Sequence, residues 1–135
     1  MTPKEFATKW FSNIDAKNYD GLKSMMGTNH QFRNPVAPQP LNADAHIGLI
    51  QQMMSSFTGT HTIEQMICEG EWVVTRGRWS GKHTGEFNGM PATGNPVDFS
   101  IVDVMHVVDG KLAEEFMEWN AMTLMTQIGA MPQPA

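Results

Sequence analysis

The sequence predicts an α+β domain, spanning 1–130, in which N-terminal helices pack on the concave face of a curved, mainly antiparallel sheet. Three observations lead there. Up to residue 57 apolar side chains recur at helical spacing, whereas from residue 60 onward they fall into short runs rich in β-branched and aromatic residues. Helices first and a strand meander after is the order of a fold whose helices cover one face of an antiparallel sheet. The length, 135 residues, suits one compact domain with one core, so no second domain is expected.

Each element has its own signal. Thr2-Pro3-Lys4-Glu5 resembles a capping box with proline at the first helical position, and Phe6, Trp10 and Ile14 follow on one face. Asp20 is placed to cap a shorter helix carrying Leu22, Met25 and Met26. His30-Gln-Phe-Arg-Asn-Pro35 reads as a brief extended segment stopped by proline, and the loop 36–42 is stiffened by its own prolines. A third helix is expected over about 43–57, where Ile47, Ile50, Met54 and Phe57 form one stripe and Gly59 lies just past the end. Strands are expected over 60–69, 72–80, 97–108 and 111–120, separated by Gly70, by the glycine-rich 81–94 and by Asp109-Gly110. The tail, 131–135, is expected to hang free.

Charge and composition exclude several partners. With a formal net charge of -5, nine Lys and Arg and no basic run, neither a nucleic acid nor an anionic membrane is an expected partner. No stretch approaches the ~18 uninterrupted apolar residues of a spanning helix. The N-terminus lacks a charged segment followed by an apolar core, so a cytoplasmic location is expected. Cys68 is the single cysteine, and His30, His46, His61, His83 and His106 have neither a paired-ligand spacing nor cysteine partners, so no metal site is expected. Twelve methionines either fill core or adapt to irregular apolar ligands.

The polar residues of Glu114-Glu115-Phe116-Met117-Glu118-Trp119-Asn120 depend on hairpin register. A two-residue loop at Asp109-Gly110 pairs Asp103 with Phe116 on a face shared with Glu114, Glu118 and Asn120. A bulged turn with Gly110 in the left-handed position sets Asp103 directly opposite Glu115 instead. The bulged register is preferred, because it gathers Phe99, Ile101, Met105, Val107, Met117 and Trp119 with only those two carboxylates on a face that helices can cover. The other face, with Val102, Val104, His106 and Phe116, suits contact with a second copy of the chain, so a homodimer is expected.

The stretch Gly81-Lys-His-Thr-Gly-Glu-Phe-Asn-Gly-Met-Pro-Ala-Thr-Gly94, a following strand, Asp109-Gly110-Lys111 and the final Leu124-Met-Thr-Gln-Ile-Gly129 resemble the SnoaL-like polyketide cyclases. The resemblance implies a cone-shaped fold of the nuclear-transport-factor and ketosteroid-isomerase type, a deep apolar pocket between helices and sheet, a homo-oligomer and no cofactor. The family's cyclases close a ring by intramolecular aldol condensation, with an Asp as general acid/base and a His beside it on the neighbouring strand. Read back from Gly129 without gaps, that Asp falls on Met117 and that His on Asp103. Asn120 stands where the family often has Asp. A thioether transfers no proton, so the cyclase pattern does not carry over intact.

Two residues are therefore the catalytic candidates, Asp103 and Glu115. Opposed on an apolar wall they cannot both ionise cheaply, and one is expected to hold a proton near neutral pH. Such a pair supplies an acid and a base together. The competing reading pairs Asp103 with Arg76 or Arg78 and sends Glu115 to solvent. Trp10, Phe57, Phe99, Met105, Met117 and Trp119 are candidate substrate-binding residues, although such residues are more often plain core than ligand contact. Asn34 either lends an amide to the pocket or serves an Asn-Pro turn, and His83 either reaches the pocket mouth or holds its loop. Two functions follow: a cofactor-independent acid/base enzyme on a small apolar ketone or cyclic substrate, performing isomerisation, cyclisation or water addition, or a ligand-binding or assembly module that lost its acid at Met117. An epoxide hydrolase of the limonene type is a weaker third, since no Asp-Arg-Asp set assembles.

Overall fold

The computed structural model describes residues 1–131, so all but the first residue of the expected free tail lies outside the described residues. The chain runs α1 (Pro3–Asp15), α2 (Tyr19–Met25), β1 (Met26–Arg33), α3 (Ala43–Ser56), β2 (Phe57–Glu69), β3 (Trp72–His83), β4 (Pro96–Val108), β5 (Lys111–Trp119) and α4 (Ala121–Gln127). One five-stranded sheet has the order β1-β5-β4-β3-β2. β2 to β5 form an antiparallel meander, and β1 returns to the far edge parallel to β5. The expected helix-then-meander architecture with a mainly antiparallel sheet is thus observed, β1 being its one parallel strand among the described residues. No helix among the described residues is long and apolar enough to cross a membrane.

α1 begins as its capping box dictates: the Thr2 hydroxyl oxygen accepts the Glu5 N–H at 3.1 Å, and Pro3 occupies the first turn. Its buried stripe is Phe6, Ala7, Trp10, Phe11 and Ile14, which packs across β2, β3 and β4. The second helix is capped by Asn18, whose Oδ1 accepts from the Gly21 N–H, and not by Asp20, which sits inside the first turn where an acid still favours the helix dipole. Met26, expected on that helix, already belongs to β1.

α3 starts at its Asn42 cap and ends at Ser56. Gly59, expected just past a helix end, instead lies inside β2 opposite Gly81. A side chain at Gly59 would collide with the Ser80 carbonyl, so this glycine serves a close strand approach. The buried positions of β4 alternate strictly through Val97, Phe99, Ile101, Asp103, Met105 and Val107, defining the face that the helices cover. α4 was not expected. Its cap is Asn120, accepting the Thr123 N–H at 3.0 Å, and it packs Leu124 against β4.

Candidate active site

Between α1, α3 and the helix-facing side of the sheet lies a cavity of about 120 Å³. Its walls are apolar: Trp10, Phe11 and Ile14 from α1, Met53 and Met54 from α3, and Phe99, Ile101, Met117 and Trp119 from the sheet. Asp103, Glu115, Asn34, His46 and His61 are the polar residues among them.

The hairpin that sets Asp103 against Glu115 uses parts of both expected registers. Asp109 and Gly110 both have positive φ (50° and 74°) and Val108 pairs with Lys111, so the turn is the two-residue kind. The extra residue sits inside β5: Val107 pairs with Leu112 but His106 pairs with Glu114, leaving Ala113 as a bulge. Beyond the bulge Asp103 faces Met117, and Glu115 faces Met105. The two carboxylates therefore share the covered face, as expected, but as diagonal neighbours and not as a directly opposed pair.

Both are shut away from solvent, at 1% and 2% exposure. A side-chain hydrogen bond joins them. Burial raises the Asp103 carboxyl above its ordinary range, and the hydrogen bond from Glu115 and the field of His61 pull it back. Glu115 is pushed well above its ordinary range by burial, by the Asp103 charge and by donating that bond. Both carboxyls are thus raised, Glu115 the further, so Glu115 is the member of the pair that keeps a proton to higher pH. Asp103 Oδ1 and Glu115 Oε1 have no hydrogen-bond partner among the described residues. Directly across from Asp103 on β3 is Thr75, whose buried hydroxyl is also unpartnered.

Two histidines back Glu115. His30 Nδ1 lies 3.1 Å from the Leu112 carbonyl, which only accepts, so Nδ1 carries the hydrogen. Burial lowers the proton affinity of both His30 and His46, keeping them neutral. His30 Nε2 must then accept from His46 Nδ1 at 2.9 Å, and His46 Nε2 is left as a lone pair. That nitrogen stands 3.8 Å from Glu115 Oε1. With His46 neutral this is no ion pair, and it is too long for a hydrogen bond, so the Glu115 proton stays on the Asp103 side. Phe32 stacks on His46 at 3.7 Å and fixes the ring plane.

The SnoaL-like polyketide cyclase sequence profile matches residues 5–128. The chain belongs to this family. Over 91 residues it is 28% identical to aklanonic acid methyl ester cyclase DauD of Streptomyces sp. strain C5, a match covering 63% of this chain and 56% of that protein, so it spans little over half of that relative's length. The structure superposes on the proposed polyketide cyclase IdmH of Streptomyces antibioticus with a TM-score of 0.86, at 22% identity over 96% of this chain and 99% of that one. It superposes on the proposed hydroxylase AclR of Streptomyces galilaeus with a TM-score of 0.89, at 19% identity over 98% and 84% of the two chains. At these identities the likeness shows the shared cone fold.

Within this SnoaL-like fold the cross-strand pair Asp103 and Met117 stands side by side, as the resemblance requires of the family's His and Asp. Trp10, Asn34, Phe57, Phe99, Met117 and Trp119 all line the cavity together with Asp103 and Glu115. Asn34 holds the Asn-Pro turn, its Oδ1 accepting the Val36 N–H at 3.0 Å, and it also lines the cavity, its buried Nδ2 without a partner among the described residues. Two residues do not reach the cavity. Met105 is fully buried behind the wall, one pair further along the sheet. His83 is held in its own loop, its Nδ1 accepting the Thr93 N–H at 3.2 Å. The arginine pairing of Asp103 is excluded, because Arg76 lies 3.5 Å from Glu64 and Arg78 2.6 Å from Asp98, out on the opposite face. His46 and His61 were not singled out from the sequence; the one available signal, His46 inside the stripe of α3, reads as helix surface until β1 is known to lie beside it.

Proposed function

We propose that the chain is a cofactor-independent acid/base enzyme that enolises a small apolar ketone in this cavity, leading to cyclisation or isomerisation. The observation carrying this reading is the buried Asp103–Glu115 pair, two hydrogen-bonded carboxyls with no lysine or arginine paired to them among the described residues. A structural role would not favour two carboxyls there, since burying a charge without a counter-ion costs several kcal/mol, roughly, even after relaxation. Asp103 carboxylate takes the proton from the carbon next to the substrate carbonyl. As its charge passes to the substrate, the Glu115 acid and the unpartnered Asn34 Nδ2 are the donors available to the enolate oxygen. The apolar walls exclude water and raise the worth of each of these bonds. Flat or cyclic apolar molecules fit such walls, and sugars or phosphates do not.

Deuterium exchange into 2-tetralone, a flat ketone with acidic α-hydrogens, tests this reading. Exchange by the protein that Asp103→Asn abolishes is the expected result; no exchange above buffer refutes it. The second reading, a binding module, draws on Met117 at the position of the family's acid, and predicts binding of 2-tetralone with no exchange.

A second copy of the chain is proposed to cover the outer face of the sheet, where Trp72 and Val102 remain 37% and 38% exposed beside Phe116. Trp72 stacks on His106 at 4.1 Å, giving that face a flat, rigid aromatic platform.

A further inference from the structure

Asp15 is the last residue of α1, where the negative end of the helix dipole disfavours a carboxylate, and no basic residue occupies that turn. Its compensation is His61 on β2. Asp15 Oδ1 accepts from the ring Nδ1 at 2.7 Å, and the same carboxylate accepts the His61 backbone N–H at 3.1 and 3.2 Å. Phe11 packs against the imidazole, with ring centroids 5.0 Å apart. The ring is thus fixed in position and, when neutral, in tautomer: Nδ1 carries the hydrogen and Nε2 is the free site. Nε2 has no hydrogen-bond partner among the described residues, while the ring borders the apolar cavity on one side and a polar surface hollow on the other. The charged groups around it are Asp15 on α1, Asp103 on β4, which feels the imidazole's field, and Glu64 on β2, which is paired with Arg76.

We infer that His61 is a second proton-transfer residue of the cavity, positioned by Asp15, which protonates a second carbonyl oxygen of a substrate enolised by Asp103. This rests on the proposed enolisation and adds what that step lacks, a proton donor for an electrophile several bonds away. In a dicarbonyl compound Asp103 accepts the α-hydrogen, and the resulting enolate carbon forms a bond to the far carbonyl carbon. The electron pair of that C=O moves to oxygen, which takes the Nε2 proton of the His61 imidazolium. The product is a cyclic hydroxy ketone, isomeric with the substrate. Asp103 has gained one proton and His61 has lost one, so return of one proton from Asp103 to His61 across the cavity that both line restores the starting state.

Heptane-2,6-dione is the probe for the two-site step, and 2-tetralone exchange reports the Asp103 step alone. In His61→Gln, ring closure of the dione is expected to fall about 10²-fold or more, at least about tenfold further than 2-tetralone exchange, which loses only the field of His61 on Asp103. Closure unchanged, or both reactions falling by the same factor, overturns the proposal. Asp15→Asn tests the positioning role: kcat for closure falls with KM held, and a change in KM alone overturns that role. A readout independent of turnover is imidazole ¹⁵N NMR with 2-naphthol, a flat phenol. The His61 Nε2 resonance moves on binding while Nδ1 stays protonated; a silent Nε2 overturns the proposal whether or not 2-tetralone exchanges. Failure of the Asp103 reading is seen separately, as absence of wild-type exchange.

Discussion

Replacing Asp103 by Asn should make the protein more stable while removing its proposed activity. In a pair sealed from solvent Asp103 is the less strongly raised carboxyl and so the first to ionise as pH rises, held by one hydrogen bond from Glu115 and with Oδ1 unpartnered among the described residues. An amide of the same shape keeps the bond to Glu115, now donating to it, and removes the buried charge. Exchanges of buried charge for neutral groups gain about 1–4 kcal/mol, and the amide still needs partners, so roughly 1–3 kcal/mol is expected at pH 7. At this chain length that is a rise of about 3–10 °C in Tm. The pH dependence is the sharper test. Both carboxyls are raised on folding, so their contribution is fully present below the unfolded values of about 3.9 and 4.3 and is lost as pH rises through the folded ones. Wild type should therefore weaken as pH rises from about 4, whereas the variant has lost one of the two groups and, without the Asp103 charge, part of the shift on the other. The gain from Asp103→Asn should be near zero at about pH 4 and grow toward pH 8. Urea unfolding at a series of pH values measures it, and contributions common to both proteins cancel in the difference. A variant destabilised at pH 7, or a difference independent of pH, refutes the assignment of a buried charge to Asp103.

Other outcomes follow from single contacts. Folding lowers the proton affinity of His30 and His46, so the stability this pair contributes is full above about 6.5 and is lost as pH falls below it; His46→Phe should flatten that acid limb in thermal melts. Glu118→Gln should alter neither 2-tetralone exchange nor Tm by more than about 1–2 °C, because Glu118 is exposed on the opposite face. Asn120→Ala removes the cap of α4 and should cost about 1 kcal/mol in urea unfolding. Light scattering at micromolar concentration should give a dimer for wild type and a monomer for Val102→Glu with Trp72→Lys; a wild-type monomer ends the interface proposal.

Much of the fold was legible in the sequence because its signals are local. Thr2 through Glu5 and the period of α1 each act within a few residues, and so does the Asp109-Gly110 turn signal, although the turn is the two-residue kind and not the bulged one preferred from the sequence. Two features needed distant information. β1 pairs parallel to β5, with Phe32 beside Glu115, across a separation that no periodicity records. That pairing carries His30 toward Leu112 and His46, which is why neither histidine could be placed at the site beforehand. α4 is a short helix of about two turns whose helicity depends on burying Leu124 against β4.

The carboxylate pair shows how far parity alone reaches. Face membership in a strand repeats every second residue, so Asp103 and Glu115 share a face in any register of the same parity, and burial of the apolar neighbours selects that parity. The exact partner does not follow from it. A tight turn at Asp109-Gly110 alone would have put Glu115 on the outer face; the bulge at Ala113 restores it to the cavity, at the cost of one unpaired residue in the ladder. Ala113 is small and half-buried and gives the sequence no bulge signal. The same insertion sets Met117, not Glu115, directly across from Asp103. In this chain the side chain facing Asp103 is thus a thioether, and the carboxyl nearest to it on β5 is Glu115, at the next inward position along the strand. A family position without a proton donor therefore does not settle whether the cavity has one.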